Sequence, residues 1–398
     1  MIDHRNYIII GAGIVGLSVA REIRFREPEA SILVLEKENK LGMHGSGRNS
    51  GVIHSGIYYK KGTLKAKVCA DGAKAILAYC SEKNLPINRI GKVIVPTNEE
   101  EDVQLKLLEK RASVNNAYVE IINESQLREI EPAVYSATGN ALYSPNTSVI
   151  DPVSVMLQLY KDLTQQNIKI LLSSRVSNAD PCKSMLHVGG KTYKYDFLVN
   201  AAGQHSDRVA KMYDVGMSYA LIPFRGSYYK LRHDSRININ HLIYPVPDLD
   251  IPFLGIHSVT AINGDIYFGP SAIPALGREH YSGVKGLEFS QAFNTMYYLF
   301  GEYIRNSQGF RRYTHEELSR IYKKKFTVAC QKLIPSLTNR DLIKSEKVGI
   351  RAQLYDISKR KLEMDFVIRR KDNTVHVLNG VSPAFTSSFS MAKIILDS

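Results

Sequence analysis

Apolar residues run unbroken through YIII at positions 7–10, meet a glycine cluster at 11–16, and continue through a mixed apolar and basic stretch to SILVLE at 31–36. The pattern predicts a buried strand, a tight turn, a helix and a second strand, so the chain opens with a βαβ unit and a parallel sheet. Asp151 ahead of Pro152 predicts a helix cap, with SVMLQLYKDLTQQN as the helix and IKILLS as the next strand. FLVNAAG, after Tyr195, reads as another buried strand. Over 221–268 the pattern changes to short strands, GSYYKL, HLIYPVPD, FLGIHSV and DIYFGP, separated by Pro, Gly and Asp, which predicts an inserted antiparallel sheet. A helical region follows over 286–334, and VHVLNG with SPAFTSSFSMAKIILD predicts a last strand, a loop and a closing helix. The expected fold is α/β, a Rossmann-like dinucleotide domain (1–80, 145–218 and 340–398) with an inserted antiparallel-sheet α+β substrate domain (81–144 and 219–339). No internal repeat or low-complexity segment interrupts this plan.

Gly11, Gly13 and Gly16 form GxGxxG directly after the first strand. The first glycine permits the turn, the second lets backbone approach a pyrophosphate, and the third packs helix on strand. Glu36, twenty positions past Gly16 at the end of the second strand, is placed to accept from an adenosine ribose. Ile14, Val15 and Lys37 complete the expected cofactor contacts of this unit. The long Gly- and Ser-rich segment that follows carries Ser46, Gly47, Arg48, Asn49, Ser50 and Gly51. NAD does not require such a stretch, whereas FAD must be followed from pyrophosphate to flavin ring, so FAD is the expected cofactor.

The chain has 398 residues, 44% hydrophobic and 23% charged, a globular composition long enough for two or three domains. The apolar run at 7–20 is broken by glycines and falls short of the roughly 20 residues that span a bilayer. No secretory signal is evident, and a cytosolic chain is expected. Four cysteines, Cys69, Cys80, Cys182 and Cys330, lack metal-site spacing, so neither a metal nor a disulfide framework is expected. The net charge of +13 is concentrated late, at Arg305, Arg311, Arg312, 323–325, 359–361 and 369–371. These clusters suit a solvated surface or peripheral contact with the inner face of an anionic membrane. No aromatic-basic interleaving marks a nucleic-acid groove, so no nucleic acid is expected.

GAGIVGLSVA, SGRNSGVIHSG, LYSPNTSVIDP and FLVNAAG together resemble the FAD-dependent oxidoreductases of the D-amino-acid oxidase class from end to end. YPVPD, PFLGIH, GIRAQL and LEMDFV bring the resemblance closest to the L-2-hydroxyglutarate dehydrogenases and oxidases. One departure is HGSG at 44–47, where an HSG- or TSG-type approach to Arg48 is expected. The resemblance implies Val176, near the edge of the IKILLSSRV strand, as an adenine contact. It implies Ala202 and Gly203 beside the pyrophosphate, and Pro383, Ala384, Phe385, Thr386 and Ser387 closing over the flavin. Noncovalent FAD is implied, because nothing nearby predicts attachment.

Oxidation of a 2-hydroxy acid moves hydride to flavin N5 while a base takes the hydroxyl proton. His54 and His257 are the candidate bases, since histidine titrates near neutrality. Arg351, with its planar fork, is the candidate grip on a substrate carboxylate and a further cofactor contact. Lys65 and Lys67 are candidates for a second carboxylate, and Tyr58, Tyr59 and Tyr244 for substrate oxygens. The expected activity is FAD-dependent oxidation of L-2-hydroxyglutarate to 2-oxoglutarate, with oxygen or a quinone as electron acceptor. An amino-acid or sarcosine-type oxidase of the same fold is the alternative.

Overall fold

The computed structural model describes residues 2–249, 251 and 253–398; Pro252, which opens the PFLGIH stretch, lies outside them. Strand β1 (Asp3–Ile10), helix α1 (Ile14–Arg26) and strand β2 (Ile32–Leu35) form the expected βαβ unit. In β1 the side chains alternate: Ile9 packs into one core while Ile8 and Ile10 pack into another on the opposite face of the sheet. That is the period-2 signature of a strand covered on both sides.

Around β1 the parallel ladder runs Lys169–Leu171, β2, β1, Lys191–Asn200 and Thr374–Val377. Its strands come from the beginning, middle and end of the chain. The closing helix Ala384–Asp397 packs against α1 and Leu64–Glu82. At that crossing a Cβ on Gly72 would lie 2.6 Å from the Ser387 Cα, so only glycine admits the approach. Asp151 caps helix Pro152–Gln165 by accepting from the Val153 and Ser154 amides, at 3.2 and 3.1 Å.

A six-stranded antiparallel sheet is built on Tyr219–Leu231 and Leu342–Asp356, paired over nearly their whole lengths. The expected boundary at 340 therefore falls just ahead of a strand that the antiparallel sheet takes; the later part of that segment, Ile368–Lys371 and Thr374–Val377, belongs to the sheet around β1. Long-range pairing decides this, and local pattern does not carry it. Strand Leu242–Pro245, from the HLIYPVPD stretch, leaves the six-stranded sheet and lies parallel to Lys92–Val95 in a separate four-stranded one. Helices Phe289–Arg305, Phe310–Ser319 and Lys323–Gln331 fill the expected helical region.

Candidate active site

One cavity of about 600 Å³ runs from the end of β2 past the glycine turn to the antiparallel sheet. Gly11, Gly13, Ile14, Val15, Glu36, Lys37, Ser46, Arg48, Asn49 and Ser50 all line it. So do Val176, Ala202, Gly203 and Pro383 to Thr386, contributed from distant parts of the sequence. Gly11 has φ +104°, and a Cβ there would lie 2.5 Å from the Ala201 carbonyl oxygen. Helix α1 has Gly13, which carries no side chain, at its N-cap; Ser46 Oγ accepts from the Ile14 amide at 3.0 Å, and the positive helix end faces the cavity where a phosphate would sit. Glu36 is held by the Ala12 and Glu38 amides, each at 2.9 Å, one on each carboxylate oxygen. Each oxygen keeps a second lone pair for a ribose hydroxyl. Glu36→Ala is therefore expected to weaken FAD binding by about 10- to 100-fold, from the loss of charge-assisted bonds; an unchanged affinity of the apoprotein for added flavin would refute that role.

Several expected contacts stand behind the wall instead of on it. Gly16 serves packing: its Cβ would meet the Gly11 oxygen at 1.9 Å. Gly47 lies against Gly42, and Gly51, at φ +78°, against the Ile150 carbonyl. Ser387 is buried beside Gly72 where two helices cross. Tyr59 does not line the cavity, and its carbonyl accepts from Asn115 Nδ2 at 2.8 Å, but its phenol is near enough to Arg351 and Tyr244 to interact with them electrostatically. Val176 opens a separate strand, Val176–Asp180, after the preceding one stops at Leu171.

Other expected residues reach the cavity but have partners already. Asn49 ties its own loop through the Gly45 and Ser46 carbonyls and the Gly51 amide. Arg48 donates to the Met43 carbonyl at 2.7 Å and the Val348 carbonyl at 3.3 Å, joining this loop to the antiparallel sheet. The Lys37 ammonium lies 2.6 Å from Glu279 and 2.8 Å from His44 Nε2. Glu38, His44 and Glu279 would otherwise have the spacing of a metal site, but Lys37 places a cation among them.

At the other end of the cavity, His54, Tyr244, His257 and Arg351 share the wall with Tyr228, Phe253 and Tyr313. The His257 ring stacks on Tyr244 at 4.0 Å, and its Nδ1 donates to the Gly255 carbonyl at 2.9 Å. A carbonyl can only accept, so Nδ1 carries the hydrogen and Nε2 is a bare acceptor. His54 Nε2 lies 3.3 Å from Ser382 Oγ, while its Nδ1 is buried without a partner among the described residues. Burial, then the charges of Lys92, His257, Lys65 and Arg351, pull His54 down to about 3. Burial pulls His257 down to about 4. Both rings are therefore neutral at pH 7, each with a free lone pair, but burial makes them weaker bases than the near-neutral imidazoles expected from the sequence.

Arg351 Nε donates to the buried Gln353 at 2.9 Å, and its guanidinium lies 5.4 Å from the Phe253 ring. Its strand neighbour Phe224 fixes it in register. Lys92, absent from the sequence-based candidates, is almost wholly buried, its ammonium 4.8 and 5.3 Å from the Tyr58 and Tyr244 rings. Lys65 is buried as well, and both lysines stand behind the cavity wall instead of lining it. Among the described residues none of these three cations has a salt-bridged carboxylate, and burial lowers Lys65 and Lys92 to about 7 and Arg351 to about 10. Lys92 sits in KVIV, which reads only as an apolar strand with an edge lysine, so its burial was not legible locally. Phe253 and Tyr313, stacked with rings 5.4 Å apart, come together from distant segments.

The family model for FAD dependent oxidoreductases (DAO) matches residues 6–398, and the chain belongs to that family; FAD is its cofactor. Within it the chain is similar to L-2-hydroxyglutarate dehydrogenases. It is 36% identical to that of Indibacter alkaliphilus, over 98% of this chain and 97% of the relative. It is 31% identical to the Escherichia coli K12 protein of that name (98% and 92%), and 33% to the mitochondrial one of Homo sapiens (98% and 87%). Among solved structures, FAD-bound L-alpha-glycerophosphate oxidase from Mycoplasma pneumoniae shares the fold, with a TM-score of 0.78 at 21% identity over 99% of this chain and 94% of that one.

Proposed function

We propose that this enzyme oxidises L-2-hydroxyglutarate to 2-oxoglutarate, passing the electrons on to oxygen or a quinone. The observation that carries the reading is the set of cations, half-buried Arg351 with buried Lys65 and Lys92, grouped around two neutral imidazoles with no salt-bridged carboxylate among the described residues. Burying unpaired charge costs several kcal/mol per ion, on the order given by desolvation. A bound dianion offsets that cost, and 2-hydroxyglutarate is a dianion at neutral pH. The names of the relatives support the same substrate.

In this reading Arg351 grips the carboxylate beside the hydroxyl, and Lys65 and Lys92 attract the distal one. His54 takes the hydroxyl proton on Nε2, the ring nitrogen left open beside Ser382 Oγ, while Nδ1 is buried. His257 and Tyr244 bound the substrate on the other side. Bound FAD supplies the acceptor for the α-hydrogen and its electron pair. The parallel sheet holds FAD noncovalently; Arg351 and His257 come from the six-stranded sheet, Tyr244 and Lys92 from the four-stranded one and Lys65 from helix Leu64–Glu82. The cavity-lining residues named above are its proposed contacts.

Anaerobic addition of L-2-hydroxyglutarate should bleach the yellow holoenzyme. Bleaching by glycine, sarcosine or a D-amino acid in its place would reject the assignment. The lysines add a pH dependence. Ammonium binds a dianion and amine does not, so as pH rises through about 7 each lysine gives up the charge that binding needs. KM for L-2-hydroxyglutarate should climb above neutrality, by up to about tenfold per pH unit for each proton that must be taken up. A KM that is flat between neutral and alkaline pH removes the lysines from substrate binding.

Among the described residues no helix is long and apolar enough to cross a membrane. We extend the proposal to a peripheral contact with an anionic membrane, supported by the late basic clusters.

A further inference from the structure

Helix Phe289–Arg305 is turned inside out. Its buried face carries Gln291, Thr295 and Glu302 along with Leu299. Gln291 accepts from Arg278 Nε at 2.9 Å and donates to the Leu221 carbonyl at 2.8 Å, and Glu302 accepts from Tyr355 Oη at 2.6 Å. These polar anchors, with Leu299, fix the helix on the protein and determine which side faces out.

The outward side carries Phe289, Phe293, Met296, Tyr297, Phe300 and Ile304. Spaced by 4, 3, 1, 3 and 4 residues, they form one continuous stripe. Phe289 is 91% exposed, Phe293 72%, Tyr297 66% and Phe300 65%. Scattered exposed apolar residues are ordinary, but a contiguous aromatic face marks a docking surface.

Charge selects the occupant. Arg305 ends this helix, and Arg311 caps it by donating to the Tyr303 and Ile304 carbonyls, both at 2.7 Å. Arg312, Lys324 and Lys325 are exposed on the next two helices. A second copy of the chain meeting this face across a two-fold axis would set these cations against themselves. A bilayer interface accepts aromatic side chains at headgroup depth while its anionic lipids attract the flanking arginines and lysines.

We infer that the outward face of helix Phe289–Arg305 docks the enzyme on an anionic lipid bilayer, with the following basic residues at the headgroups. The inference rests on the proposed peripheral contact and supplies its surface. The neighbouring helix Phe310–Ser319 brings Tyr313 and Glu317 into the cavity wall, so docking sets the membrane one helix away from the site.

The test is flotation of FAD-loaded, full-length enzyme with phosphatidylcholine vesicles, with and without about one-third phosphatidylglycerol. Wild type should bind the anionic vesicles and be weakened by high salt. The double variant F293S/F300S should bind them at least about tenfold less, since each buried Phe contributes that much or more. Its flavin spectrum and its activity with a soluble dye acceptor should not change, because neither residue lines the cavity. Wild type that ignores anionic vesicles overturns the membrane contact itself. A double variant that binds as tightly as wild type overturns the helix while leaving the contact. A double variant that loses an oligomer instead of lipid binding overturns the inference and makes the face an interface between copies or with another protein.

Discussion

Replacing His54 by glutamine should lower turnover of L-2-hydroxyglutarate by about 10²- to 10⁴-fold, the range that a positioned general base contributes. The expectation comes from three observations. His54 is neutral, its Nε2 is left open beside Ser382 Oγ while Nδ1 is buried, and its backbone amide donates to Thr386 Oγ1 at 3.2 Å, which ties it to the first turn of the closing helix. Glutamine keeps a polar group near the Ser382 hydroxyl but cannot take up a proton. FAD should still bind, and substrate affinity should change by only a few-fold, so the loss falls on kcat. Below the lysine titration, from about pH 6 down to about pH 5, wild-type kcat/KM should stay flat, because a free-enzyme base held near 3 keeps its lone pair across that window. Substitution of His257 by glutamine is the control. If His257→Gln abolishes turnover and His54→Gln stays within about threefold of wild type, the roles belong the other way round.

The cofactor half of the site was legible in the sequence because its signals are local. GAGIVG, Glu36 and the Gly- and Ser-rich loop each dictate backbone geometry within a few residues, and the cavity runs past all three. What sequence could not separate was contact from support. Gly47, Gly51 and Ser387 occur in the same motifs as cavity residues, yet each is spent on a close backbone approach one layer behind; Gly16 takes the packing role that its motif position predicts. The substrate half depends on pairings between distant strands. Lys92 comes to stand behind its wall because its strand lies beside Leu242–Pro245, which puts Tyr244 next to its ammonium. Nothing within a window of ten residues around Lys92 carries that information. Arg351 was legible only as part of a resembling motif, and its role becomes physical once the strand register sets it against Phe224 with Gln353 at its back.

Arg351→Met should reduce kcat/KM for L-2-hydroxyglutarate by about 30- to 4,000-fold, the effect of truncating one partner of a buried charge pair by 2–5 kcal/mol. Arg351→Lys should recover only part of it, since an ammonium keeps the charge but not the planar fork. Two further readouts separate binding from folding. In the free enzyme Arg351 is a half-buried cation without a salt-bridged acid among the described residues, so its removal relieves an electrostatic cost; thermal stability should be unchanged or higher in the methionine variant. A merely structural arginine would show the opposite, a lower Tm. The second readout is the pattern across substrates. Arg351 is assigned to the carboxylate that every 2-hydroxy acid carries, whereas Lys65 and Lys92 are assigned to the distal one. Arg351→Met should therefore depress L-2-hydroxyglutarate and a monocarboxylate such as L-2-hydroxybutyrate alike, while Lys92→Met should depress only the dicarboxylate. If Arg351→Met leaves KM and kcat within about threefold of wild type, the guanidinium does not hold the substrate; if Lys92→Met affects both acids equally, the buried lysine supports the fold and not the choice of substrate.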